Sequence, residues 1–99
     1  MQSHYPETFE RDMACTEAEW LAWLPAALGD CPYQQGSGEV QVQIGSGALQ
    51  LQWQALPPRT IALMRLPRLA VRFVFRGVPD AERTAFMRRF DLYTQRGGG

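Results

Sequence analysis

Cys15 stands directly ahead of Thr16-Glu17-Ala18-Glu19, a stretch that opens a helix. Backbone N–H groups at such a start stabilise a thiolate, so a nucleophilic cysteine is the first chemistry to weigh. Glu17 and Glu19 oppose it, because they sit in the same turn and disfavour another negative charge. A nucleophile also needs a base, and the single histidine, His4, belongs to a loose N-terminal segment. Cys15 therefore reads as a small, partly buried residue. Asp80 with Glu82 and Glu17 with Glu19 could in principle form acid/base couples, but both pairs fall where carboxylates favour a helix N-terminus. Cys15, Cys31 and His4 are too few to hold a structural zinc ion, which takes four ligands. The two cysteines bracket a helix of about a dozen residues that holds them on the order of 18 Å apart, too far for a disulfide. Gly36-Ser37-Gly38 and Gly45-Ser46-Gly47 lead into strands, so they are turns and not phosphate loops. The expectation is a protein without catalytic machinery, cofactor or metal.

Three features point to binding. Trp20 and Trp23 lie on one helix and Trp53 on the dry side of a hairpin, so all three should meet, as core or as the wall of a pocket for a small apolar ligand. On the last helix Phe86, Met87, Phe90, Tyr93 and Thr94 share the side that must face the core, and Ala85, Arg88, Arg89, Leu92 and Arg96 share the other. Leu92 is thereby an apolar residue ringed by arginines, suited to a protein partner or a second copy of the chain. Finally, a sheet face carries Gln41, Gln43, Gln50, Gln52 and Gln54 with Arg72 and Arg76, groups able to bond phosphates and base edges. Nucleic-acid binding is disfavoured there, because the formal net charge is zero and Trp53, Phe73 and Phe75 point inward by parity.

The elements that position these groups follow from periodicity. Val40, Val42 and Ile44, then Leu49, Leu51 and Trp53, alternate with polar residues on either side of Gly45-Ser46-Gly47, which specifies a β-hairpin with one dry and one wet face. Residues 7–13 suit a short strand with Phe9 and Met13 inward. Thr16 and Glu19 form a capping box for a helix that Gly29 ends, with Pro25 kinking it or restarting it as a last turn. Residues 30–37 read as a loop. Pro57-Pro58 should break the chain, with strands over 59–66 and 69–76 joined by a turn at Pro67. The strand over 59–66 is apolar on both sides, as if central in the sheet or covered on its second face. Gly77-Val78-Pro79-Asp80 turns into the final helix, which runs to about Gln95.

The order is β-α-β-β-β-β-α, an α+β two-layer architecture with helices on one face of an antiparallel sheet. This order resembles the TATA-binding-protein-like and helix-grip folds over about 85 residues, although no shared motif carries function across. Another two-layer sandwich without the first strand is the alternative. The end Arg96-Gly97-Gly98-Gly99 resembles the tails of ubiquitin-like sulfur carriers, which implies adenylation of the terminal carboxylate; the element order departs from theirs, since this tail follows a helix.

Ninety-nine residues suffice for one domain, residues 1–99, with residues 1–6 and 96–99 expected to be flexible. The chain is 45% hydrophobic and 20% charged, and no apolar run approaches a membrane span. All ten basic residues are arginine, and lysine and asparagine are absent, which reads as the codon bias of a GC-rich bacterial genome. Seven acids precede residue 51 and nine arginines follow it. Such a division serves internal complementarity or an arginine-rich patch. With no leader peptide visible, the expected location is cytoplasmic. The resulting expectation is a non-catalytic protein-binding or self-associating module, with small-ligand binding as the alternative.

Overall fold

The computed structural model describes residues 4–94. In chain order it contains β1 (Thr8–Met13), α1 (Glu17–Leu28), β2 (Tyr33–Gly36), β3 (Glu39–Ile44), β4 (Gly47–Ile61), β5 (Met64–Arg76) and α2 (Asp80–Thr94). The strands form one antiparallel sheet in the order β1-β5-β4-β3-β2. Both helices cover the same face. Gln95 and the glycine tail lie outside the described residues.

Strand alternation decides the core. Val40, Val42, Ile44, Leu49, Leu51 and Trp53 are buried, as are Leu69, Val71, Phe73 and Phe75 opposite them. Trp20, Leu24, Leu28, Phe86, Met87 and Phe90 close the second layer. Each fully buried large side chain contributes about 1.5–3 kcal/mol relative to exposure, so this one cluster accounts for the cohesion of sheet and helices.

The capping box forms as the sequence predicts: the Glu19 N–H donates to Thr16 Oγ1 at 3.1 Å, and the Thr16 N–H donates to Glu19 Oε1 at 2.9 Å. Helix α1 runs unbroken through Pro25 to Leu28 and is capped by Gly29 at φ 62°. Its last turn holds no basic residue of its own. Arg89 of α2 supplies one, its Nη2 donating to the Ala26 carbonyl at 3.1 Å.

The strand boundaries depart from the sequence reading in two places. Residues 33–36 are a strand and not part of a loop, with Tyr33 opposite Val42 and Gly36 opposite Glu39. Their side chains are all exposed, so backbone pairing alone holds β2 and no hydrophobic alternation announces it. Likewise Pro57-Pro58 does not break the chain. β4 continues through it to Ile61, with a register shift between Leu56 and Arg59. Here β4 has lost its other neighbour, since β3 pairs only as far as Gln52. Proline, which lacks an N–H, is tolerated on such an open edge and at a bulge. The turn sits at Ala62-Leu63, between the pair Ile61 and Met64, and not at Pro67.

Candidate functional site

Beyond Gln54 the hairpin leaves the sheet. β1 pairs with β5 only up to Leu69, so among the described residues 56–68 pair only with each other. The result is a two-stranded arm about 20 Å long, extending a molecule whose longest dimension is 47 Å. Its tip is apolar: Leu63 is 100% exposed, Met64 63% and Ile61 52%. Ala62 holds φ at 55°, a position in a two-residue turn that glycine usually fills. From Ala55 to Pro79 there is no acidic residue, and Arg59, Arg65 and Arg68 lie on the arm itself. At its base Arg68 donates to Asp12 Oδ2 from Nη2 at 2.6 Å and from Nε at 3.0 Å, with Arg59 4.0 Å away. The Arg68 bond holds the Asp12 carboxyl below its ordinary pKa. Arg65 makes no ion pair among the described residues.

Sequence reasoning passed over this element. Its signal was the apolar character of both sides of residues 59–66, which a covered central strand would also produce.

The helix face expected to bind a partner is only partly available. Leu92 is 69% exposed and Arg88 is exposed without an ion pair among the described residues. Arg89 is committed inward, bonded to Ala26 and lying over the Tyr93 ring at 4.8 Å. Arg96 lies outside the described residues. Asp91, next to Leu92, turns toward β1 and receives Arg11 and the Tyr5 hydroxyl.

Of the three tryptophans, the structure brings Trp20 and Trp53 together edge to face with centroids 5.6 Å apart. Trp20 also meets Phe90 at 5.7 Å, and rings fill the space between helix and sheet there. Trp53 Nε1 donates to Glu17 Oε2 at 2.8 Å. Trp23 is half-buried at the edge of the core. Trp20 Nε1 is buried without a hydrogen-bond partner among the described residues.

On the wet face Gln41, Gln43, Gln52, Gln54, Arg72 and Arg76 are exposed and Gln50 is half-buried. The register aligns Glu10, Arg72, Gln52 and Glu39 in one row across four strands, which alternates the charges. Two open depressions lie along this side, of about 610 and 420 Å³.

Thiol chemistry is suppressed. Burial, with Glu19 adding to it, pushes the Cys15 thiol up to about 11, and burial with Asp30 raises Cys31. Both cysteines are free. Among the described residues no three His, Cys, Asp or Glu side chains converge to hold a metal ion. No helix among them is long and apolar enough to cross a membrane. The chain matches no family model, no curated protein and no solved structure.

Proposed function

We propose that the protein is a non-catalytic, protein-binding module and that the β4–β5 arm is its contact element. The apolar tip carries this reading. Three large aliphatic side chains held in water on an unsupported ribbon forgo the burial that stabilises the rest of the molecule, and apolar patches of this kind mark interaction sites. A two-stranded ribbon is marginal by itself, and Ala62 holds the positive φ of its turn with a Cβ that glycine would not carry, which adds backbone strain. Contact with a partner would repay both. The aliphatic tip favours a protein over a nucleic acid, since it lacks stacking rings and Asp12 offsets the charge at the arm's base. The raised thiol pKa values support a binding role over thiol catalysis, and two free cysteines accord with a cytoplasmic setting in a bacterium.

The test is a photo-crosslinking residue placed at Leu63 in the full chain and expressed in the native host, with parallel probes at the exposed positions Leu92 and Ala22. Discrete protein adducts at Leu63 and none at Ala22 are expected. Equal, diffuse labelling at Leu63 and Ala22, or adducts confined to Leu92, would overturn the arm as contact element.

A further inference from the structure

At the end of the molecule opposite the arm tip lies an open cleft of about 550 Å³, bounded by the end of α1, the β3–β4 turn and the first half of α2. Leu28, Ile44 and Phe86 line it with Cys31, so its walls are mainly apolar, and its size is in the range that accepts ligands. Asp30 and Glu82 stand at its rim and neither makes an ion pair among the described residues. Arg89 also reaches the rim, where its Nη2 donates to the Ala26 carbonyl and its guanidinium lies over the Tyr93 ring, so the rim carries one positive and two negative charges. The cleft therefore presents apolar walls and a net negative rim, with Asp30 and Glu82 outside any ion pair among the described residues.

The arm tip has the matching chemistry: Ile61, Leu63 and Met64 between Arg59 and Arg65. We infer that the tip of one copy of this chain seats in the cleft of a second copy, apolar residues inside and arginines against Asp30 and Glu82. This rests on the arm being the contact element and names its partner. A copy cannot fill its own cleft, because β4 runs from the turn at the cleft, Gly47, to the tip at Ile61 and holds the two at opposite ends. Two copies laid side by side, head to foot, bring each tip to the other's cleft. The contact is then reciprocal and closes as a two-fold dimer, the commonest closed assembly.

Cys31, half-buried in the cleft, allows a direct test, and Cys15, fully buried, stays out of it. Leu63→Cys in the otherwise native chain should form, under mild oxidation, a covalent dimer whose peptides carry a Cys31 disulfide to the new thiol, and adding Cys31→Ser should abolish it. In sedimentation equilibrium the native chain should be a dimer. Arg65→Glu and Asp30→Arg should each weaken it about tenfold, and combining them should restore much of the loss. Leu63 is fully exposed and Arg65 exposed, so their variants are expected to keep the native fold. A native chain that remains monomeric at its solubility limit, dimers linked only between the two introduced cysteines, or a charge swap without rescue would overturn the inference. A monomer that still gives Leu63 adducts with other proteins would end the self-association while leaving the arm as the contact element.

Discussion

The guanidinium of Arg11 on β1 bonds both carboxylate oxygens of Asp91 on α2, joining the edge of the sheet to the helix that covers it. The pair is four-fifths buried, and Tyr5 adds a hydroxyl bond to Asp91 at 3.0 Å. Arg11 also lies 5.4 Å from the Phe73 ring centroid and 5.6 Å from that of Phe9. Asp91→Asn leaves a cation among aromatic rings without its counterion, and a broken pair of this kind costs more than a surface ion pair. A loss of about 2–3 kcal/mol is expected in urea unfolding, against about 1 kcal/mol for Tyr5→Phe. A loss below about 0.5 kcal/mol for Asp91→Asn would place the pair with ordinary surface pairs.

Gly47 begins β4 where the backbone of the turn before α2 passes closest. A Cβ there would collide with the Gly77 carbonyl and lie 2.6 Å from the Arg76 oxygen. These are backbone atoms, at the end of β5 and in the bend after it, and cannot step aside as a flexible side chain could. Gly47→Ala should therefore lower stability by about 2–3 kcal/mol, the upper part of the range for overpacking. Gly45→Ala meets only the Glu82 side chain, which can move, and so bears mainly the cost of its φ of 60°, about 1–2 kcal/mol. Denaturant midpoints of the two variants check the order, and a Gly45→Ala loss exceeding that of Gly47→Ala would contradict it.

These two relationships also mark how far the sequence could be read. The hairpin over 39–54, the capping box at Thr16 and the inward face of α2 were legible because each writes its periodicity or its cap in adjacent residues. The α+β order was legible for the same reason. β2 was not, since Tyr33-Gln34-Gln35-Gly36 pairs through its backbone and buries nothing. The continuous β4 was hidden by Pro57-Pro58, whose usual meaning reverses once the strand has an open edge. Arg83 drew no attention in the sequence, yet it is buried and donates to the carbonyls of Val78, five residues away, and of Tyr5, 78 residues away, a contact that leaves no local mark. The arm followed the same logic: apolar residues on both faces of 59–66 are compatible with cover and with exposure, and only the neighbouring strands' lengths decide between them.

Ala62 is the single non-glycine residue at positive φ among those described, and it sits at the turn of the arm. Substituting glycine removes a Cβ penalty of about 1–2 kcal/mol, while glycine's greater freedom in the unfolded chain takes back about 0.5–1 kcal/mol. The remainder, up to about 1.5 kcal/mol, should appear locally, because no third strand among the described residues pairs with the arm and it can open independently of the core. Amide exchange at Thr60, Ile61 and Met64 should slow severalfold in Ala62→Gly, with core amides of β3 unchanged. Faster exchange in the arm would show that the Ala62 conformation is unstrained.

The pH dependence of stability has opposite causes at its two limits. Asp12 has its pKa lowered by the Arg68 bond, so the folded state favours the carboxylate; this stabilisation is present above the unfolded value of 3.8 and is lost as pH falls through the lower folded value. Cys15 and Tyr5 are raised, chiefly by burial, so the folded state favours their protonated forms. Their contribution is complete below the unfolded values of 9.0 and 10.0 and declines as pH rises from there through the folded values, which for Cys15 is about 11. Urea midpoints should thus fall between pH 9 and 11, and Cys15→Ala should flatten the first part of that decline even if it lowers stability at neutral pH. The same burial predicts that iodoacetamide at pH 7.5 modifies Cys31 well before Cys15. Alkylation of Cys15 at the faster rate, with the native fold intact, would contradict its burial ahead of α1.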